Sequence, residues 1–175
     1  MVKLADVTEE LGMDDIMRGF YDRATDEIVW VPLDELDVAE EFEDGDDLEK
    51  LAGRTENGDA ESLRLAVRVI EGYFEEFIPL PSQRDVHEHA IMEDFVEDVL
   101  PESDMRARIW RGLHRAGAFR SFKDDVQYFG LADAWYQYRD MRFAEIAREW
   151  AEENNVPFTE DEIADDKIQQ LTDSL

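Results

Sequence analysis

The sequence predicts an α+β fold: a small antiparallel sheet packed against a mainly helical C-terminal half. Three observations carry this. Two β-rich runs, Ile16–Asp22 and Glu27–Pro32, flank the short polar turn Arg23–Asp26. A later run, Tyr73–Pro81, is β-rich and closed by prolines. Beyond that run, apolar residues recur at helical spacing as far as Asn154. A hairpin plus one later strand, followed by helices, is the pattern of a sheet covered by helices segregated in sequence.

Each element has its own signal. Leu4, Val7 and Leu11 predict a short helix over 4–12. Pro32 ends the second hairpin strand or sits on an edge. Residues 34–61 are acidic and weakly apolar, which predicts loops around short helices. Asp44-Gly-Asp46-Asp47 lacks the spacing of a calcium loop and is read as a solvated charge run. Leu63, Leu65, Ala66, Val69 and Ile70 mark one helical face ending at Gly72. Residues 85–100 form a helix with Ala90, Ile91, Met92, Phe95, Val96 and Val99 toward a core, broken by Pro101. A helix over Asp104–Ala116 takes Ser103 as N-cap and Gly117 as its stop. Another covers Ala118–Phe129, with Phe119, Phe122, Val126 and Phe129 on one face, and Gly130 stops it. The longest runs over Leu131–Asn154, with Leu131, Trp135, Tyr138, Phe143, Ile146 and Trp150 inward. Thr159-x-x-Glu162 has the form of a capping box. The expected organisation is one α+β domain over 1–158 and an acidic tail over 159–175, as a short helix or a frayed end.

Composition narrows the class. The 175 residues suffice for a sizeable core, and 43% hydrophobic content with 19 aromatics opposes global disorder. Cysteine is absent, which excludes disulfides, thiolate metal sites and cysteine nucleophiles. No secretory h-region or spanning apolar run is evident, so a cytoplasmic protein without membrane segments is expected. The formal charge is −28. It reads most simply as adaptation to a high-salt host, which the scarcity of lysine (four, against 14 arginines) fits. A DNA mimic and an ordinary acidic protein are the other readings.

Against that acidity stands Met105–Lys123. It holds Arg106, Arg108, Arg111, Arg115, Arg120 and Lys123 and no acidic residue, while the remainder of the chain holds all 46. Arg108, Arg111 and Arg115 are spaced for one helical face. Arg120 and Lys123 are three apart on the next helix. Guanidinium groups suit phosphate or carboxylate, and the start of that helix offers free backbone N–H groups. The competing reading is internal neutralisation by Asp94, Glu97, Asp98, Asp124, Asp125 and Glu149.

Aromatic residues interleave with these cations. Helical spacing makes most of them core, with Tyr128 and Tyr136 the better candidates for exposed stacking surfaces. His87, His89 and Glu93 are the one metal-type set. His89 and Glu93 are four apart, but no H-E-x-x-H pattern exists, so these read as surface residues at a helix start. His114 lies inside the basic run, with Ser121 as its nearest hydroxyl. No P-loop, dinucleotide fingerprint or nucleophile elbow occurs.

At Gly117–Asp124 the chain reads G-A-F-R-S-F-K-D, followed by Trp135-Tyr136 and Arg148-Glu149-Trp150. Upstream lie Phe20-Tyr21-Asp22 with Glu27-Ile28-Val29, then Phe77-Ile78-Pro79 and Ile91–Phe95. In this order, over residues 12–155, the chain resembles an uncharacterised bacterial family, UPF0158. Ala116, Ser121 and Asp26 stand where that pattern carries glycine, arginine and glycine. The resemblance implies no activity, cofactor or catalytic residue.

The sequence therefore predicts a binding or regulatory module rather than an enzyme. Its expected ligand surface is Arg108, Arg111, Arg115, Arg120 and Lys123, with nucleic acid, another phosphate-bearing ligand or an acidic protein as partner. No catalytic residue, metal or cofactor is assigned. The alternatives are a protein-interaction module using its acidic face, and a hydrolase using His114 or the His87/His89 region.

Overall fold

In the computed structural model, residues 1–11, 16–83 and 85–159 are described. In chain order the elements are β1 (Val2–Lys3), α1 (Leu4–Glu10), β2 (Met17–Asp22), β3 (Glu27–Pro32), α2 (Leu33–Glu40), α3 (Leu48–Ala52), α4 (Ala60–Glu71), β4 (Phe77–Pro79), α5 (Glu88–Asp98), α6 (Asp104–Leu113), α7 (Ala118–Tyr128), α8 (Ala132–Glu153) and β5 (Phe158–Thr159). The protein is α+β, with a helical C-terminal half. No described helix is long and apolar enough to cross a membrane.

Two compact units divide the described residues. The first comprises residues 1–83 and 147–159, the second residues 85–146, and α8 contributes to both.

In the first unit the predicted hairpin forms in full register, Met17 opposite Pro32 and Asp22 opposite Glu27. The later strand β4 joins the other edge of β2, giving a three-stranded antiparallel sheet of order β3-β2-β4. Side chains alternate across a strand, and this sheet buries both faces. Tyr21 and Ile78 join Val7, Ala147, Trp150 and Val156 in one core. Phe20, Val31 and Phe77 join Val38, Leu63, Ala66 and Val69 in another. The indole N–H of Trp150 donates to the carbonyl of Pro79 at 2.8 Å, so the ring that fills the first core also binds the sheet's edge strand.

The hairpin turn explains Asp26. Its φ is +59°, a left-handed conformation that favours glycine, with Asn and Asp next. The Asp26 carboxylate repays the conformation by accepting a hydrogen bond from the Tyr21 hydroxyl, and the Asp22 carboxylate accepts from Ala24 N–H at 2.8 Å.

Glu35 is fully buried on α2, where its carboxylate accepts from the Ser62 hydroxyl and from the Asn57 amide at 3.3 Å. Asp47 and Asp59 cap α3 and α4 through their carboxylates.

Several expectations need correction. The strand predicted over 73–81 is confined to Phe77–Pro79. Before it, the Gly72 carbonyl accepts from the N–H groups of Glu75, Glu76 and Phe77, which winds Tyr73–Glu76 into a turn. Thr159 is in a strand: β5 pairs in parallel with β1, Val2 beside Phe158 and Lys3 beside Thr159. The rest of the predicted capping box and the tail over 160–175 lie outside the described residues.

The second unit is helical. Ser103 caps α6 as predicted, accepting from Arg106 N–H at 3.2 Å. Its core centres on Phe95 of α5, whose ring lies 6.2 Å from Phe122, 5.5 Å from Trp135 and 5.5 Å from Tyr138. Phe122 and Val126 of α7 are buried as expected, while Ala90 and Phe119 are exposed rather than facing a core.

Candidate functional site

The basic run builds α6, α7 and the turn between them. The two helices meet closely at Gly112, where an added Cβ would lie 2.7 Å from the Ser121 hydroxyl oxygen. Only a glycine surface lets the backbones approach so far with Ser121 in this position. This contact, with the buried Ile109, Leu113, Phe122 and Val126, turns the polar sides of both helices to solvent.

All five predicted cations are exposed. Arg108 is the most constrained. It binds the buried carboxylate of Asp125 on α7 at 2.7 Å. Its guanidinium also lies over the rings of Tyr128 and Phe129, 5.1 and 5.3 Å from their centroids. Arg111 donates to the Ala107 carbonyl at 3.1 Å, within its own helix. Arg120 comes no nearer than 4.0 Å to Asp124, and both side chains are largely in solvent. Among the described residues, no carboxylate oxygen lies within 4 Å of Arg111, Arg115 or Lys123. Arg106 is different: it turns back to the Leu100 carbonyl at 3.1 Å and to Glu102 at 3.3 Å.

Arg115 departs from the predicted geometry. Helix α6 ends at Leu113 rather than Ala116, so Arg115 sits in the turn and shares no helical face with Arg108 and Arg111. The stop has a visible cause in His114, the C-cap residue, whose Nδ1 engages the Trp110 carbonyl at 2.9 Å. Arg111 and Arg115 lie at the carbonyl end of α6, where positive charge complements the helix dipole. Gly117 then begins α7 with φ +79° and no side chain to cap it. The N–H groups of the first turn of α7 are therefore uncapped.

His114 is not isolated. Its Nε2 lies 3.1 Å from the Glu93 carboxylate, whose other oxygen is 3.6 Å from Nδ1 of His89. His89 Nε2 meets the Leu113 carbonyl at 2.9 Å. Glu93 thus sits between two imidazoles, and all four ring nitrogens face protein oxygens. No group of three or more His, Asp or Glu among the described residues is arranged to hold a metal ion. His87 is exposed, at the N-cap of α5. The sequence spacing showed the His89–Glu93 pair; His114 joins it only through the packing of α5 against α6.

The aromatic residues divide by burial. Tyr138 is buried and donates to Asp98 at 3.1 Å, and burial followed by the Asp98 charge raises its phenol well above the usual range. Tyr128 is 73% exposed and Phe119 45% exposed, both on α7. Tyr136 is also exposed, on α8, beneath the Arg139 guanidinium.

A model of an uncharacterised protein family, UPF0158, matches residues 54–172. The chain belongs to UPF0158. The matched span contains α4 through α8, and so every residue of the α6–α7 surface, while the hairpin lies before its start. No curated protein and no solved structure matches this chain.

Proposed function

We propose that this UPF0158 protein is a cytoplasmic binding module that engages a phosphate-bearing ligand through Arg108, Arg111, Arg115, Arg120 and Lys123. One observation carries the reading. In a chain with 46 carboxylates and 18 basic residues, Arg111, Arg115 and Lys123 are exposed with no acidic partner within 4 Å among the described residues. Composition alone favours neutralising every cation. Leaving three open is what an anion site requires.

Two further features support it. The uncapped N–H groups at the start of α7 add partial positive charge beside Arg115 and Arg120. At about 0.15 M salt, exposed charges more than roughly 8 Å from this surface are largely screened. A ligand seated on α6–α7 responds chiefly to the local cations.

The test is calorimetric titration with inorganic polyphosphate at fixed ionic strength. Arg111→Ala/Arg115→Ala/Lys123→Ala is expected to weaken binding by more than about tenfold. It should also flatten the dependence of log K on log salt, because fewer counterions are released on binding. The circular dichroism spectrum should be unchanged, because these three side chains hold no ion pair among the described residues. Absence of polyphosphate binding to the wild-type chain refutes the reading.

A further inference from the structure

We infer that the phosphate-bearing ligand is a single-stranded nucleic acid whose bases stack on Phe119 and Tyr128. This rests on the phosphate reading above and specifies its ligand.

The two rings stand in the first and last turns of α7, about 14 Å apart along the axis at 1.5 Å per residue. At 100° per residue, Phe119, Lys123, Arg120 and Tyr128 follow one another over about 180° of the helix, so the two rings stand at opposite borders of its exposed half. Two cations therefore lie between two aromatic platforms. That is the composition of a surface binding alternating phosphates and bases. Beyond Tyr128 the track reaches α6, where Arg108 lies over the Tyr128 ring and is pinned there by Asp125. The pinned guanidinium fixes the platform and adds its own cationic face. At the other end, the Phe119 ring meets His89 in an edge-to-face arrangement, 6.1 Å between centroids.

This pattern selects among phosphate ligands. Inorganic phosphate and polyphosphate use the cations and gain nothing from the rings. A double helix has phosphates but keeps its bases stacked inside. Only unpaired bases reach both ring faces and cations together. Among the described residues of α7, Asp124 beside Arg120 is the exposed carboxylate on this track, and it opposes the ligand.

The experiment compares two probes on the intact chain at one ionic strength: a fluorescently labelled single-stranded thymidine oligomer, by anisotropy, and inorganic polyphosphate, by calorimetry. Phe119→Ala and Tyr128→Ala should each weaken the oligomer about 5- to 100-fold and leave polyphosphate affinity unchanged. Tyr128→Phe should retain oligomer binding, and Asp124→Asn should tighten it. Alanine variants that bind the oligomer like wild type, or that weaken both probes equally, overturn the stacking assignment. So does a duplex of equal length that binds as tightly. Polyphosphate binding without oligomer binding overturns the nucleic-acid assignment and leaves the phosphate reading standing. If polyphosphate does not bind, the phosphate reading falls and the nucleic-acid assignment falls with it.

Discussion

Arg108 closes on Asp125 across two helices at 2.7 Å, joining a half-exposed guanidinium to a buried carboxylate. The partners are unequal. Water can replace Asp125 around the arginine, but it reaches the aspartate poorly. Removing the arginine strands a buried charge, whereas removing the aspartate leaves a solvated one. Arg108→Ala is therefore expected to cost about 2 kcal/mol and Asp125→Asn about 1 kcal/mol or less. Urea denaturation of both variants checks the order. Equal losses would mean that the pair acts as an ordinary surface ion pair. The same result decides how Arg108 is used in binding experiments, since a ligand effect at this position mixes contact with fold.

Tyr21 predicts an alkaline limb of stability. Burial, then the hydrogen bond and charge of Asp26, push its phenol up to about 12 from the usual 10. The fold thus favours the protonated phenol. Its stabilisation is complete below pH 10, where the unfolded phenol also holds its proton, and disappears as pH rises from 10 through 12. Tm followed over that range should fall, and less steeply in Tyr21→Phe. Asp26→Gly keeps the left-handed turn but removes the acceptor, so tyrosinate absorbance should show Tyr21 ionising nearer its ordinary value.

Glu35 tests a buried polar network. Its carboxylate satisfies Ser62 and Asn57 with no solvent contact. Glu35→Ala leaves both donors unpaired and is expected to cost about 1–3 kcal/mol. Glu35→Gln retains an acceptor and most of the volume, and should lose less. Denaturant midpoints distinguish the two.

Salt should stabilise the protein. At −28 the folded chain repels itself, and screening at about 1 M shortens the reach of that repulsion to roughly 3 Å. Tm is expected to rise steadily from low salt to molar potassium chloride. A flat profile would remove the salt-adaptation reading of the composition.

The elements defined by local periodicity were legible. The hairpin, the Ser103 cap and the cores of α4, α5, α7 and α8 all follow from spacing and capping chemistry. Features made by distant partners were not. The β1–β5 pair joins two-residue strands more than 150 positions apart, and neither has enough residues to show alternation. Tyr73–Glu76 looks extended by composition, yet three N–H groups converging on the Gly72 carbonyl fold it into a turn. At the candidate surface, the cations could be read from charge alone, and Tyr128 was correctly placed outside. Phe119 was not, because its spacing matches Phe122 and Val126 while its ring meets His89 at the surface. Arg115 looked helical because nothing in its neighbours announces that the ring of His114 turns back to Trp110.

The contact of Gly112 with Ser121 sets the gauge of this surface. Alanine at 112 is met by rotating one hydroxyl; a branched side chain also presses on the Asp125 carboxylate, 3.6 Å from the added Cβ, and on the helix that carries it. Gly112→Val is thus a shim, inserted from behind, that widens the gap between Arg108 and Arg120 while leaving every cation in the sequence. A ligand that reads charge alone would tolerate the wider gauge. One that measures the pitch between successive groups would register the change.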